Sequence, residues 1–262
     1  MDRERCVIQR EGSSQGAQWS AVHHGYFGSE AIARPLVDAV LQAVDTASPT
    51  VLADLGGGTG FLLGEVLKQR PDMGVRLVNV DLSADQLCAC CEPRLECLQG
   101  SASKLRREDL EVGEGRLMLL MRSVMHYFGC EGALKLLRHL RAQMLEGELF
   151  VHQTACFWLG PHRRCINLLY QRMATGKWYP LVGELEYLLN KAGWEMLQVV
   201  PGPPLELDSP SLATRYDLDN DAVQAIRDEL LADFGPLPHV FEPHDVGFTA
   251  WLHYHIFTCR AV

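Results

Sequence analysis

A glycine-rich segment has the residue types and spacing that are best suited to binding a ligand. Its sequence is Asp54-Leu55-Gly56-Gly57-Gly58-Thr59-Gly60. An apolar run precedes it, and helix-like sequence follows from Phe61. The pattern predicts a buried strand, a tight turn and a helix N-terminus. Glycine lets the backbone turn sharply and lets a ligand approach without a Cβ in the way. The helix start adds free N–H groups and the positive end of the helix dipole, so a nucleotide-like ligand is expected here.

Asp54 and the glycine spacing favour S-adenosylmethionine over a dinucleotide as that ligand. The dinucleotide fingerprint Gly-x-Gly-x-x-Gly fits poorly, because its third glycine would fall on Leu63 when counted from Gly58. A carboxylate beside the turn would repel a pyrophosphate, whereas it suits the ammonium of a methionine moiety and the nearby sulfonium. A second acid, Asp81, ends the next apolar run and could accept hydrogen bonds from both ribose hydroxyls. Alternatively, Asp81 caps the helix that is predicted from Ser83.

Together these motifs resemble those of the class I S-adenosylmethionine-dependent methyltransferases, over about residues 20 to 200 and the final strand. The resemblance implies an α/β fold with a doubly wound, mostly parallel seven-stranded sheet, and methyl transfer from S-adenosylmethionine. At the turn Gly100-Ser101, many members of the family carry an acid that contacts the adenine amino group. The cofactor-binding residues that the resemblance implies are Asp54, Gly56, Gly58, Gly60, Asp81, Leu82, Ser101, Ala102 and Arg122.

Alternating strand-like and helix-like segments predict the strands and helices that would position these residues. After a helix over residues 30–44, strands are expected near residues 51–55, 75–80, 95–99, 116–122 and 148–153. A helix over 181–192 and a strand over 194–200 follow. The remainder is expected to be a proline-rich loop at 201–210, a helix at 220–234 and one last strand at 248–260. In the family, that last strand is antiparallel to the others.

Three segments of this single domain, residues 1–262, lie outside the minimal sheet. They are an N-terminal helical cap at 18–45 and insertions at 154–181 and 202–247. We expect them to form walls over the carboxyl ends of the strands, where ligands bind in open α/β sheets. Residues expected to contact a substrate there are Tyr26, Tyr127, Trp158 and Tyr170. About half of the aromatic residues in these segments would instead belong to a hydrophobic core.

His126, just after the fourth expected strand, is the candidate catalytic residue. A sulfonium is an activated methyl donor, so the protein mainly aligns the reactants and excludes water. A hydroxyl acceptor also needs a base, and histidine has a suitable pKa. The surrounding segment is similar to the Leu-His-x-Trp segment of small-molecule O-methyltransferases, whose His is the base. Tyr127 and Phe128 depart from that pattern, so His126 as a wall residue stays open as an alternative.

The activity expected from these residues is O-methylation of a small organic acceptor. N-methylation, C-methylation and cofactor binding without catalysis remain open as alternatives. A short-chain dehydrogenase is disfavoured, because only the spacing of Tyr187 and Lys191 fits it and the glycine pattern does not.

Composition argues against nucleic-acid and membrane partners. The 262 residues carry a net charge of −9 without basic stripes, and no apolar stretch approaches a membrane span. A polar N-terminus and nine cysteines lead us to expect a cytoplasmic protein. No metal is expected at Cys88, Cys90, Cys91 and Cys97, because no second pair of ligands lies at a zinc-site spacing. The expected partner is a small-molecule acceptor, and a homodimer is compatible with the sequence.

Overall fold

The computed structural model describes residue 23 and residues 25–262, which fold around a seven-stranded sheet with the strand order β3-β2-β1-β4-β5-β10-β6. A smaller antiparallel sheet has the order β7-β9-β8. The strands are β1 (Val51–Leu55), β2 (Arg76–Asp81), β3 (Leu95–Gln99), β4 (Leu117–Arg122), β5 (Leu149–Ala155), β6 (Trp194–Pro201), β7 (Leu205–Asp208), β8 (Phe241–His244), β9 (Gly247–Leu252) and β10 (Tyr254–Ala261).

Helices cover both faces of the larger sheet. They are α1 (Glu30–Ala47), α2 (Phe61–Gln69), α3 (Ala84–Cys88), α4 (Gly129–Ala142), α5 (Gly160–Arg172), α6 (Val182–Lys191), α7 (Ser209–Tyr216) and α8 (Asn220–Phe234). Short 3-10 helices lie at Tyr26–Gly28, Arg107–Leu110 and Met125–Phe128.

The register of the central strands brings their carboxyl ends to one edge of the sheet. β1 is buried along its whole length, as expected for a strand covered on both faces. Asp54 near its end pairs with Asn79 of β2 and Leu120 of β4, and both neighbours are parallel to β1. β10 runs antiparallel between β5 and β6. The prediction of a doubly wound, mostly parallel seven-stranded sheet is therefore confirmed.

Two apolar cores hold the helices against the sheet. On one face, α1 and α2 pack over the strands through residues such as Leu36 and Leu63, which are fully buried. On the other face, α4 and α6 pack through Leu137 and Leu185 around Trp194. The indole N–H of Trp194 donates to the carbonyl of Leu137 over 3.0 Å, which satisfies its buried polar group.

The segment after β6 differs from the prediction in two places. The expected proline-rich loop contains β7, and the single strand expected over residues 248–260 is two strands in different sheets, β9 and β10. The division falls at His253, whose carbonyl accepts a hydrogen bond from the amide N–H of Cys156 over 2.9 Å. Before His253 the chain pairs with β7 and β8, and after it with β5 and β6. Apolar residues occur on both sides of His253, so the pattern did not reveal the change of partner.

We call α5, α7, α8 and the smaller sheet the added layer, because they lie outside the minimal fold. The layer has its own apolar core, which includes Leu169, Leu212, Phe241 and Phe248. Tyr26 and Phe27 also join this core, whereas the predicted N-terminal helix, α1, packs on a face of the larger sheet. Residues 18–22 and 24 of the expected cap lie outside the described residues.

Within residue 23 and residues 25–262, no helix is both long enough and apolar enough to cross a membrane. The same residues contain no group of three or more His, Cys, Asp and Glu side chains placed to hold a metal ion. The cysteine-rich segment is only partly helical, since α3 ends at Cys88.

Candidate functional site

The glycine turn connects β1 to α2 at the carboxyl edge of the sheet. Gly56 and Gly58 have φ values of +77° and +58°, in the left-handed region that favours glycine. A Cβ on Gly56 would lie 2.5 Å from Cγ2 of Val124, in the loop after β4. A Cβ on Gly58 would meet, among the residues described, only Oε1 of Gln86 at 3.5 Å. The turn therefore packs against the β4 loop near Gly56 and leaves space beside Gly58. Gly60 ends the turn immediately before α2.

Asp54 lies under this turn with a carboxylate that is only 1% exposed. A Cβ on Gly57 would lie 2.8 Å from its Oδ2. Neither carboxylate oxygen has a hydrogen-bond partner in the described part of the chain. Burial raises the pKa of Asp54 to about 7, against the lowering effect of Arg122 and together with the raising effect of Asp81. An unpartnered buried carboxylate is unfavourable, so the site suits a ligand that brings donors or a positive charge.

Arg122, at the end of β4, offers the opposite charge near Asp54. Its Nε donates to Oε1 of Gln153 over 3.0 Å, and its Nη1 donates to the carbonyl of Phe27 over 3.3 Å. The other terminal nitrogen, Nη2, is buried without a partner within the described ranges. The guanidinium also lies over the rings of Tyr26 and Phe27, 5.7 and 5.3 Å from their centroids. Asp54 and Arg122 thus present a carboxyl group and a guanidinium to one region, each with atoms that lack a hydrogen-bond partner among the residues described.

Asp81 is held at the tip of β2 by two backbone N–H groups. Its Oδ2 accepts from the N–H of Gly58 over 2.9 Å, and its Oδ1 accepts from the N–H of Ser83 over 2.8 Å. Ser83 is the residue that caps α3, since its Oγ accepts from the N–H of Gln86 over 3.3 Å. Each carboxylate oxygen has more than one acceptor site, so the carboxylate can still accept ribose hydroxyls.

The small-residue turn after β3 lies beside this acid. The N–H of Gly100 donates to the carbonyl of Asp81 over 2.9 Å. Ser101 and Ala102, the next two residues, are buried, and Leu82 is half-buried. The candidate cofactor residues on β1, β2, β4 and the turn after β3 therefore all lie at the same edge of the sheet.

His126 lies in the 3-10 helix that follows β4. It is 5% exposed, and its carbonyl accepts from the N–H of Trp178 over 3.1 Å. Its ring stacks on Tyr179 with 5.4 Å between the centroids. Burial, followed by the positive charges of Lys177 and Arg215, holds the pKa of His126 well below its usual range. The imidazole is therefore neutral at physiological pH.

Tyrosine rings surround a lysine beside His126. Nζ of Lys177 lies 5.0, 5.6 and 5.5 Å from the ring centroids of Tyr127, Tyr170 and Tyr216, and it donates to the hydroxyl of Tyr216 over 2.9 Å. The guanidinium of Arg215 lies 5.4 Å from the same Tyr216 ring. Distances of this size are typical of cation–π contacts.

The expected substrate-contacting residues do not all meet. Tyr127 and Tyr170 contact Lys177, and Tyr26 stacks on Tyr254 with 5.8 Å between the centroids. The hydroxyl of Tyr254 lies 2.5 Å from Oγ of Ser123, which places Tyr26 beside the β4 loop as well. Trp158, in contrast, is 63% exposed, and its ring lies 5.7 Å from that of His255.

The sequence reasoning missed three residues that the structure places here. Asn79 is fully buried, and its Nδ2 donates to the carbonyl of Gly58 over 2.9 Å, which fixes the turn. The sequence signal for Asn79 was a polar residue between two valines of an apolar run. The other two missed residues are Lys177 and Arg215. Each directly precedes an aromatic residue in the predicted insertions, Trp178 and Tyr216.

Comparison with solved structures identifies the architecture. The YcgJ protein of Bacillus subtilis superposes with a TM-score of 0.62 at 12% identity, covering 87% of this chain and 98% of the other. Magnesium protoporphyrin IX methyltransferase from Synechocystis, solved with bound S-adenosylhomocysteine, gives 0.58 at 10% identity and covers 100% of both chains.

A third similar structure is the 1,6-didemethyltoxoflavin-N1-methyltransferase of Burkholderia thailandensis, solved with 1,6-didemethyltoxoflavin and S-adenosylhomocysteine. Its TM-score is 0.57 at 19% identity, over 100% of this chain and 91% of the other. No family model matches the sequence, and no curated protein does. The strand order and these superpositions show that the chain has the fold of the class I S-adenosylmethionine-dependent methyltransferases.

Proposed function

We propose that this protein binds S-adenosylmethionine and transfers its methyl group to a small organic acceptor. The observation that carries the proposal is the buried Asp54 carboxylate, which lies under the glycine turn with both oxygens lacking a partner among the residues described. The ammonium of a methionine moiety would supply both donors and an opposite charge. Nη2 of Arg122 is suited to the carboxylate of the same moiety.

The neighbouring residues fit the rest of the cofactor. Asp81 would accept the ribose hydroxyls, because its carboxylate is held at the strand tip beside the open space at Gly58. Leu82, Ser101 and Ala102 would border the adenine, with Ser101 Oγ as the polar group near it.

The chemistry requires positioning, exclusion of water and, for a hydroxyl acceptor, a base. When bound, the cofactor supplies a methyl group already activated on a sulfonium. His126 and Tyr127 lie in the 3-10 helix that follows β4, so they would lie on the acceptor side of that group. The form we propose is O-methylation with neutral His126 accepting the hydroxyl proton at a ring nitrogen. The buried tyrosines of the added layer would exclude water.

The two similar structures with S-adenosylhomocysteine bound are named as methyltransferases of small molecules, which supports a small-molecule acceptor. One acts on magnesium protoporphyrin IX and the other methylates N1 of 1,6-didemethyltoxoflavin. The second acts at nitrogen, so N-methylation is the alternative to oxygen that these comparisons favour.

Titration calorimetry tests the cofactor part of the proposal. We expect S-adenosylhomocysteine to bind, and NAD and NADP not to bind. Asp81→Ala should weaken binding by about 1–3 kcal/mol, the scale of a charge-assisted hydrogen bond, with a smaller effect on unfolding. Binding of NAD in place of S-adenosylhomocysteine would overturn the proposal, and an unchanged affinity in Asp81→Ala would leave Asp81 as a turn-forming residue.

A further inference from the structure

Gln153 on β5 holds the guanidinium of Arg122 through its side-chain amide. Oε1 of Gln153 accepts from Nε of Arg122 over 3.0 Å. The two residues are register partners on the parallel strands β4 and β5, and the backbone carbonyl of Gln153 accepts from the N–H of Ser123 over 2.9 Å. Gln153 is only 1% exposed. The contact therefore lies at the carboxyl edge of the sheet, with the buried Asp54 on the neighbouring strand β1.

The amide of Gln153 has one possible orientation in this contact, and that orientation leaves a buried donor over. Nε of Arg122 can only donate, so the amide oxygen must face it and Nε2 of Gln153 must point elsewhere. Nε2 is buried without a hydrogen-bond partner in the described part of the chain, and a Cβ on Gly202 would lie 2.9 Å from it. A glutamate would bind Arg122 more strongly and would leave no donor unpaired. The property that sets glutamine apart from glutamate here is its lack of charge.

A neutral partner leaves the positive charge of Arg122 uncompensated. At the other edge of the sheet, Arg107 binds the carboxylate of Glu148 through both terminal nitrogens, and that pair has no net charge. Arg122 instead has the neutral amide oxygen at Nε and the carbonyl of Phe27 at Nη1, over 3.3 Å. Its Nη2 has no partner within the described ranges. Because the guanidinium is planar and rigid, fixing two of its nitrogens also fixes Nη2, which keeps a full charge for an anion.

We propose that Gln153 is a positioning residue that orients Arg122 without neutralising it, so that Nη2 is held for the carboxylate of the cofactor's methionine moiety. The inference rests on the proposed function, because it takes S-adenosylmethionine as the ligand. Asp54 and Arg122 then face the two opposite charges of one amino-acid group. A glutamate in place of Gln153 would add a negative charge near the ligand carboxylate and repel it. Gln153 acts through Arg122 and does not itself have to contact the ligand.

The experiment compares S-adenosylhomocysteine with its decarboxylated analogue, which keeps the ammonium and lacks the carboxylate. Calorimetry on the wild type should show about tenfold or more tighter binding of S-adenosylhomocysteine, as expected for a charge-assisted hydrogen bond. Gln153→Met has a similar shape and no amide oxygen. It should lose most of this preference by weakening S-adenosylhomocysteine, while the affinity for the analogue changes by less than about threefold. Gln153→Glu should weaken S-adenosylhomocysteine at least as much, and should bind the analogue as tightly as the wild type or more tightly.

Gly202→Ala is an independent test, because its Cβ would lie 2.9 Å from Nε2 of Gln153 and would displace the amide. It should also lower the preference for S-adenosylhomocysteine over the analogue. Gly183→Ala is the matched control, because Gly183 lies in α6 and, apart from the neighbouring backbone of that helix, no described atom lies within 4 Å of its added Cβ. This variant should keep the full preference. In an Arg122→Met background, Gln153→Met should not change the preference further, since the two residues act through one contact.

A purely structural role of Gln153 predicts an equal loss of affinity for both ligands, and that result would overturn the inference. Equal affinities of the wild type for the two ligands, an unchanged preference in Gln153→Met, or additive effects of Gln153→Met and Arg122→Met would also overturn it. If Gln153→Met fails to fold, Gln153→Glu and Gly202→Ala provide the test.

Failure of the proposed function has a different signature. A wild type that binds neither ligand would overturn the proposed cofactor and, with it, the role of Gln153. A wild type that binds S-adenosylhomocysteine with a preference that does not depend on Gln153 would overturn the inference alone and leave the proposed function standing.

Discussion

Asp54 combines two properties that conflict, since its carboxyl group is both buried and without a described hydrogen-bond donor. Its position under the glycine turn removes it from water, and its two oxygens have no donor among the residues described. Burial raises its pKa to about 7, so a large fraction of the molecules hold it neutral near physiological pH. An ammonium would favour the ionised form, because an opposite charge at short distance lowers a carboxyl pKa. Binding of the proposed cofactor should therefore be coupled to loss of a proton from Asp54.

The first prediction is that affinity for S-adenosylhomocysteine depends on pH through Asp54. Below about pH 7 the free protein holds Asp54 protonated, so binding must release that proton. The dissociation constant should rise as pH falls below this value, by up to about tenfold per pH unit. Calorimetry between pH 5 and 8 in buffers of different ionisation enthalpy would measure both the slope and the proton release.

Asp54→Asn is the control for this dependence. The variant should bind S-adenosylhomocysteine more weakly at pH 8, and its affinity should change much less with pH. Any pH dependence that comes from Asp81 would remain. A wild-type affinity that does not change with pH would contradict the assignment of Asp54 to the ammonium.

The second prediction concerns His126. With a hydroxyl acceptor, His126→Ala should lower turnover by roughly 10²–10⁴-fold, while affinity for the cofactor stays near that of the wild type. The low pKa of His126 in the free protein results first from burial and then from Lys177 and Arg215. Loss of the acid limb of the pH–rate profile in the variant would support this role, and full activity would make His126 a wall residue.

At the scale of elements, the strand-turn-helix unit from β1 to α2 depends on the conformation of its glycines. The third prediction is that Gly56→Ala lowers both the free energy of unfolding, by about 1–3 kcal/mol, and the affinity for S-adenosylhomocysteine. A left-handed φ costs an L-residue about 1–2 kcal/mol, and the new Cβ would lie 2.5 Å from Val124 Cγ2. Denaturant unfolding and calorimetry measure the two effects.

Gly64→Ala is the matched control, because Gly64 lies inside α2 and, apart from the neighbouring backbone of that helix, no described atom lies within 4 Å of its added Cβ. It should stabilise the protein by about 0.5–1 kcal/mol and leave binding unchanged. If Gly56→Ala behaves like Gly64→Ala, the turn tolerates a side chain and its glycines are not needed for its shape.

The sequence predicted those elements whose signals are local. Asp54 and the glycines mark the β1 turn, because their types and spacing are sufficient to indicate it without knowledge of distant contacts. The β9 and β10 division was not predictable in this way, since it depends on which distant strands pair with the chain on each side of His253. Lys177 and Arg215 were missed for the same reason. They are far apart in sequence, and only the tertiary packing brings Lys177 to Tyr216, the residue next to Arg215.

At the scale of the whole molecule, the two edges of the larger sheet differ in how their buried charged groups are hydrogen-bonded. The carboxyl edge holds the Asp54 and Arg122 atoms that lack a partner within the described ranges, whereas the amino edge holds an ion pair between the half-buried Arg107 and the buried Glu148. Glu148, 1% exposed just before β5, accepts from both terminal nitrogens of Arg107, over 2.7 and 3.0 Å. It also accepts from the N–H groups of Leu117 and Leu145, over 2.6 and 2.7 Å. Stability and ligand binding should therefore be separable by mutation at opposite edges.

The last prediction tests this separation. Glu148→Ala should lower the free energy of unfolding by about 3–5 kcal/mol, because Arg107 would keep its charge while losing its buried partner. The remaining folded protein should bind S-adenosylhomocysteine with wild-type affinity, since the change lies at the edge away from the glycine turn. Glu195→Ala is the control: its pair with Arg260 is exposed, so the loss should be at most about 1 kcal/mol. A Glu148→Ala protein with near-normal stability but weakened binding would show that the two edges are coupled, and that the sheet does not separate folding from the proposed chemistry.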